Sequence, residues 1–332
     1  MVYASTSEKM RKSKASDKFL YGRLWWVAVC VAALIIVAGG LFIYFRPMWV
    51  NDAILRTRLK IAGIDSRYTQ VGPYRVHYFV GGHGKPLLLI HGLGARAEDW
   101  APEIPEYANH GFHVYVIDLL GCGRTSRPNI SYSIAQQADM VKGFLDNMHV
   151  QQADLAGWSM GGWVALQYAL AHPRRVKRLV VMDSAGLLFE SNYGPEIFEP
   201  ETPQQLAELT ALLTPNPQHL PNFVIKDVLR RIRKNAPVIR RTVQTMLTGQ
   251  DLLDGQLSDI QIPVLIVWGS QDKLIPISSG EQMHREMPQS VLEVFKGCGH
   301  LAPLTCANRI VPHVRQFLKS SPAMAGGTYQ ID

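Results

Sequence analysis

Three hydrophobic regimes follow one another along the chain. From Leu24 to Phe45 there are 22 residues without a charged side chain, bounded by Arg23 and Arg46. Wound as a helix at 1.5 Å per residue, that run is about 33 Å long, enough to cross a hydrocarbon core of about 30 Å. Trp25, Trp26 and Tyr44 stand near its ends, where aromatic rings favour the membrane interface. The run is too long for the apolar stretch of a signal peptide, and no clear small-x-small cleavage site with a polar flank follows it. It predicts a single-pass anchor over 24–45, preceded by a basic tail at 1–23. Residues 46–66 form a juxtamembrane segment. Wound as a helix, Val50, Ile54, Leu55, Leu59 and Ile61 fall on one half and Asp52, Arg56 and Lys60 on the other, with Arg58 spoiling the apolar half. Such a helix can lie in the membrane interface or pack on a folded domain.

At Tyr68 the period changes. Tyr68–Val71 and Tyr74–Val80, with Gly72-Pro73 between them, predict a β-hairpin. Leu87–Ile90, Phe112–Ile117, residues 153–157 and Arg178–Met182 are short apolar runs suited to strands buried on both faces. Helical patterns separate them, around Ala97–Ala108, over Ala135–Met148 and from the end of the third run to about Ala171. Short strands alternating with helices predict a mostly parallel, doubly wound α/β sheet. The third regime, residues 187–259, is helical throughout. One helix is expected to begin at Thr202-Pro203, a second to span Phe223–Asn235, and a third to carry Ile239, Val243 and Met246. Strand and helix then return at Pro263–Trp268, 279–287, Val291–Phe295 and 307–319. The organisation expected is therefore an α/β core at 67–186 and 260–320, a helical cap at 187–259 inserted where strand C-termini gather, and a tail at 321–332.

Charge refines this picture. The formal net charge is +7, and 1–23 carries six Lys/Arg against Glu8 and Asp17. No nucleic-acid module accompanies the basic residues, so nucleic acid is not an expected partner. Arg46, Arg56, Arg58 and Lys60 follow the span, so Lys/Arg counting places the N-terminus in the cytoplasm and the large domain on the periplasmic or extracytoplasmic side. Residues 223–241 of the cap hold Lys226, Arg230, Arg231, Arg233, Lys234, Arg240 and Arg241 against Asp227. That run is either a solvated helix face or a surface drawn to anionic lipid. Four cysteines are too few and too scattered for a disulfide scaffold or a zinc site; Cys298 and Cys306 leave a single bridge open without predicting it.

The candidate chemistry centres on Gly157-Trp-Ser159-Met-Gly161, where an apolar run turns into a helical pattern. A G-x-S-x-G in a strand–turn–helix context is a nucleophile elbow, which lifts the serine hydroxyl clear of the sheet. A serine needs a base, and His300 in Gly297-Cys-Gly-His300 follows the last core strand on the same edge. The base needs a carboxylate to orient it. Asp272, four residues past Trp268, gives the order Ser, Asp, His expected of this fold, and Asp183 is the rival acid. Met160 N–H, after the nucleophile, and Leu93 N–H, in the turn after Ile90, are the candidate oxyanion donors.

His91-Gly-Leu-Gly, the stretch Asp118 to Ser126, Gly-Trp-Ser159-Met-Gly-Gly, Trp-Gly-Ser-Gln-Asp272 and Gly-Cys-Gly-His300 together resemble the α/β-hydrolase superfamily over about residues 67–320. The anchor, the Ser-Ala-Gly-Leu-Leu start of the insertion and the Val-Leu-Ile-Val-Trp-Gly strand look most like membrane-anchored monoacylglycerol lipases and bacterial relatives. The resemblance implies a serine ester hydrolase working through an acyl-enzyme, with no cofactor and no metal. Expected partners are a lipid or other ester substrate and the membrane; the sequence leaves the oligomeric state open. Two alternatives stand: a hydrolase-fold ligand-binding protein or receptor with little turnover, and a thioester or C–C bond hydrolase served by the same triad.

Overall fold

The short apolar runs become the strands of one nine-stranded sheet in the computed structural model, which describes residues 3–287, 289–321 and 326–332, with 3–23 followed as main chain. In chain order the strands are β1 (Asp65–Val71), β2 (Tyr74–Gly81), β3 (Lys85–Ile90), β4 (Phe112–Ile117), β5 (Ala153–Trp158), β6 (Val176–Met182), β7 (Val264–Gly269), β8 (Val291–Phe295) and β9 (Gly327–Ile331). The helices are α1 (Tyr3–Phe45), α2 (Pro47–Ile61), α3 (Ile104–Ala108), α4 (Ile134–Asn147), α5 (Met160–Ala171), α6 (Pro203–Leu213), α7 (Asn222–Met246), α8 (Ile277–Glu286), α9 (Ala302–Thr305) and α10 (Ala307–Lys319).

The spatial order is β1-β2-β4-β3-β5-β6-β7-β8-β9. β1 and β2 pair antiparallel, as the Gly72-Pro73 hairpin predicts, β2 pairs antiparallel with β4, and every later pairing is parallel. The inner strands of the parallel part carry continuous apolar runs, such as Leu87–Ile90, Leu179–Met182 and Val264–Trp268, because both faces are covered. Leu88 and Ile90 of β3 join one core cluster with α4, α5 and α8, while Leu87 and Leu89 join the other with α3 and α10. β6 divides likewise, Leu179 and Val181 to one face, Val180 and Met182 to the other. The direction of winding reverses between β3 and β5, which opens a crevice at their C-terminal ends. The candidate site lies there.

Several expectations are corrected. The helix expected over Ala97–Ala108 is broken into a 3-10 turn at Ala97–Trp100 and the five-residue α3, because Pro102 and Pro105 interrupt its hydrogen bonding. The second and third helices of the insertion are one helix, α7, with Pro237 inside it. A proline removes one main-chain bond, but the buried face of Leu229, Ile239 and Val243 carries on past it. The expected C-terminal tail contains β9, parallel to β8 in register Val291↔Gly327 to Phe295↔Ile331. It is a half-exposed edge strand without the apolar run that marks its neighbours; residues 322–325 of that tail lie outside the described residues. The basic segment 1–23 continues the anchor helix backwards to Tyr3, and its side chains lie outside the description.

Cys298 and Cys306 form a disulfide, their Cα atoms 6.3 Å apart. α9 folds the chain back between them, a reversal that cysteine counting does not show. With a sequence separation of 8, loop-closure entropy assigns the bridge about 2.5 kcal/mol. Replacing both cysteines by alanine is expected to lower the thermal midpoint by several degrees in circular dichroism; an unchanged midpoint would refute that contribution.

Leu24–Phe45 within α1 has a mean hydropathy of 2.7, and none of it is buried. It is long and apolar enough to cross a membrane, and is consistent with a single-pass anchor. α2 packs on the folded domain. Asp52 and Leu59 are its buried residues, while Trp49, Ile54 and Ile61 remain exposed.

Candidate active site

β5 ends at Trp158 and α5 begins at Met160, so Ser159 occupies the turn alone. Its backbone stands at φ 57°, ψ −123°, a conformation that costs an L residue roughly 1–3 kcal/mol. The surrounding structure holds it there. Ser159 N–H donates to Met182 O at 2.9 Å, and Ser159 C=O accepts from Gly162 N at 3.0 Å and Ala185 N at 3.3 Å. The flanking glycines are required sterically: a Cβ on Gly157 would strike the Gly161 carbonyl, and one on Gly161 would strike the carbonyls of Ile90 and His91.

His300, on the loop after β8, reaches the serine. Its Nε2 lies 2.9 Å from Ser159 Oγ and its Nδ1 2.8 Å from Asp272 Oδ2. A carboxylate only accepts, so Nδ1 carries the ring proton and the Nε2 lone pair faces the hydroxyl. Asp272 is fixed in turn, Oδ1 accepting from Leu274 N at 2.8 Å and Ile275 N at 2.9 Å. Tyr193, from the start of the insertion, donates to Leu274 O at 2.6 Å and steadies that turn. The three side chains proposed from sequence thus lie in one hydrogen-bonded line, and all three are buried.

The rival acid stands apart from this line. Asp183 is fully buried and accepts from Gly269 N at 2.7 Å, and its Oδ2 has no hydrogen-bond partner. Burial, with the Asp272 charge beside it, pushes its carboxyl well above the usual carboxylate range.

Leu93 and Met160 lie where the sequence places them, in the turn after β3 and at the first position of α5. Among the described residues neither N–H is engaged in a loop or cap hydrogen bond. Sequence reasoning missed what aims the first of them. His91 Nδ1–H donates to Gly92 O at 2.8 Å while its Nε2 accepts from Leu119 N at 3.1 Å. Burial pushes this imidazole below its ordinary range, so it stays neutral and keeps both bonds. With the Gly92 carbonyl held back, the same peptide unit turns the Leu93 N–H the other way. Trp158 was also missed. Its indole N–H donates to His300 O at 2.7 Å and ties the His300 loop to β5. The His-Gly pair after an apolar run was the one signal for His91; Trp158 offered none.

Asp118, in the stretch after β4, accepts from Ala97 N at 2.7 Å and Arg124 N at 3.0 Å, and its Oδ2 lies 2.7 Å from His77 Nδ1. Burial by itself would raise its pKa, but these partners hold it at about 2. It is the post that fixes the two loops bordering the site. No group of three His, Cys, Asp or Glu is arranged to hold a metal ion among the described residues.

Ser159 and His300 line a cavity of about 1010 Å³. Its apolar wall includes Leu209 and Leu213 of α6, Val228 and Ile232 of α7, and Leu301 and Leu304 beside the base; Phe42 of α1 and Met48 and Trp49 of α2 line it as well. One continuous space therefore runs from Ser159 to the apolar helix. Tyr44 of α1 stacks on Phe223 of α7 at 5.3 Å, joining that helix to the insertion.

Comparison with known proteins agrees with this architecture. The profile of the alpha/beta hydrolase fold family matches residues 85–305. The chain is 30% identical over 268 residues to the 2-hydroxy-6-oxononadienedioate/2-hydroxy-6-oxononatrienedioate hydrolase of Burkholderia vietnamiensis, covering 74% of this chain and 91% of that protein. It is 32% identical over 259 residues to a 2-hydroxymuconate semialdehyde hydrolase of a Pseudomonas species, covering 74% and 90%. Among solved structures, a membrane phospholipase A described as a bacterial virulence factor superposes with a TM-score of 0.75 at 26% identity. The match covers 91% of this chain and 98% of that one.

Proposed function

This chain belongs to the alpha/beta hydrolase fold family, and on that footing we propose that it is a membrane-anchored serine hydrolase of lipid carboxylic esters, monoacylglycerols first among them. The observation that carries the reading is the cavity shared by Ser159, His300 and the residues Phe42, Met48 and Trp49 at the membrane end of the chain. An acyl chain leaving the bilayer along α1 would find Phe42, Met48, Trp49, Leu213 and Leu301 in the wall of that cavity, which charged side chains such as Arg46, Arg96 and Arg231 also line. The likeness to a membrane phospholipase A over 91% of the chain supports the same direction.

In this mechanism His300 Nε2 takes the Ser159 proton as Oγ attacks the ester carbonyl. Asp272 holds the imidazole in the required tautomer and stabilises the imidazolium. The Leu93 and Met160 N–H groups take the negative charge on the carbonyl oxygen. The imidazolium then protonates the departing alcohol. Water, deprotonated by the same Nε2, attacks the acyl-Ser159 carbonyl, and the free acid leaves as the serine proton is restored. The domain is assigned to the extracytoplasmic side, on the excess of Lys/Arg ahead of the span and on the Cys298–Cys306 bridge, which persists in oxidising compartments. The basic face of α7 is assigned to anionic lipid beside the anchor.

A second reading rests on the curated relatives: cleavage of a carbon–carbon bond in a small hydroxy-oxo-dienoate by the same triad. The full-length protein in detergent separates the two. Across glycerol esters and p-nitrophenyl esters of graded length, kcat/KM is expected to rise from acetyl to medium and long chains. A preference for acetyl would overturn the lipid assignment, and turnover confined to 2-hydroxy-6-oxo-2,4-heptadienoate would establish the second reading instead.

A further inference from the structure

Asp52 lies outside every motif of the hydrolase core, in the middle of α2, and it is 5% exposed. Two guanidinium groups from distant parts of the chain converge on its carboxylate. Arg96 Nη1 and Nη2 approach Oδ2 and Oδ1 at 2.8 and 2.5 Å, a two-point fork, and Arg231 Nη2 donates to Oδ2 at 2.8 Å. Burial by itself would raise the Asp52 pKa; the two arginines outweigh it and keep the carboxylate charged.

The positions of these arginines give the carboxylate its meaning. Arg96 is three residues past Leu93, on the turn that presents the candidate oxyanion N–H. Its main chain is locked on the far side, N–H donating to Asp99 Oδ2 at 3.0 Å and C=O accepting from Asp99 N at 3.0 Å. Arg231 is on α7, between the cavity-lining residues Val228 and Ile232. One turn away a second clamp repeats the connection. Met48 N–H donates to Asp227 Oδ2 at 3.0 Å, and Arg230 Nη1 donates both to Asp227 Oδ1 at 2.6 Å and to Phe45 O at 2.9 Å. The end of the membrane helix, the cap and the oxyanion turn are therefore joined through one short helix.

We infer that Asp52 is a positioning residue for ester hydrolysis: it holds the oxyanion turn in register with Ser159 by pinning Arg96, and it sets the cap against that turn through Arg231. The anchor segment is then part of the catalytic apparatus as well as a tether. Two cations share one buried carboxylate. Its removal takes from Arg231 its carboxylate and leaves Arg96 only the Glu98 and Asp99 carboxylates, 3.9 Å from its Nε, so the link between the turn and the cap is lost. A buried carboxylate whose two oxygens both accept from guanidinium groups also tolerates no neutral substitute, since an amide offers one acceptor where two are used. Displacement of an oxyanion donor by about 1 Å costs on the order of 100-fold in rate.

The inference rests on the hydrolase reading above, and its test distinguishes the two. Full-length wild type, Asp52→Asn, Asp52→Glu and Arg96→Gln are assayed in detergent with p-nitrophenyl butyrate, and active sites are counted with a fluorophosphonate. Expected is a fall in kcat per labelled site of roughly 10-fold to 100-fold for Asp52→Asn, with KM for this short ester little changed and partial recovery in Asp52→Glu. Arg96→Gln leaves Asp52 paired with Arg231, so it reports on the turn even where Asp52→Asn does not fold, and the same loss of kcat is expected. Wild-type kcat per labelled site in Arg96→Gln, or in a folded Asp52→Asn, overturns the positioning role and leaves a purely structural ion pair. A wild type that neither labels nor turns over ester removes the hydrolase reading itself.

Discussion

Replacement of Ser159 by alanine is expected to lower kcat for ester hydrolysis by on the order of 10⁶-fold, with the fold and thermal midpoint retained. The size of the effect follows from the role. Without Oγ there is no acyl-enzyme, and His300 Nε2, 2.9 Å from that oxygen, is left to activate water in a geometry built for an alcohol. What remains is substrate binding and the oxyanion donors. The fold is expected to survive because the strained φ of 57° is imposed by main-chain bonds to Met182, Gly162 and Ala185, none of which uses the hydroxyl. Single-turnover kinetics on short and long esters measures the loss. A residual rate within about tenfold of wild type would show that another group is the nucleophile.

Asp272→Asn is expected to cost about 10⁴-fold in kcat, and Asp183→Asn far less. Leu274 and Ile275 N–H both point at Oδ1, so an asparagine must place its carbonyl oxygen there. The amide NH2 then faces His300 Nδ1, which has to give up its proton to accept. The ring proton moves to Nε2, and the lone pair that should receive the serine proton is gone. Asp183 does not take over. It is spent on Gly269 N–H, and burial together with the Asp272 charge disfavours its charged form. Measured kcat values for the two variants decide between these acids. Equal losses would mean that the carboxylate role is shared across β6 and β7.

The centre of the site was legible because its residues sit at strand ends, where glycine and a change of hydrophobic period leave local marks. Ser159 follows an apolar run and opens a helix, His300 follows β8 through two glycines, and Asp272 follows β7. The cap was legible as a gap in the alternation, but its inner boundary was not: Pro237 reads as a helix end, whereas the buried face on either side of it keeps α7 whole. β9 escaped notice because an edge strand exposes most of its side chains and so lacks the apolar signature of the core strands. The contacts of Asp52 were out of reach in principle. They join residues 44 and 179 positions apart, and the helical pattern of α2 fits a membrane-surface helix as well as a packed one. Only the packing shows that its polar face meets the oxyanion turn. His91 is an intermediate case, since the His-Gly pair is visible in the sequence but the bond that orients the Leu93 peptide is not.

The most direct measurement is the mass of the active-site peptide after full-length protein is treated with a fluorophosphonate. One adduct on Ser159 is expected, lost in Ser159→Ala and slowed severely in His300→Ala. A well-folded protein that takes no adduct, or takes it on a different residue, would contradict the assignment of Ser159 as a nucleophile activated by His300.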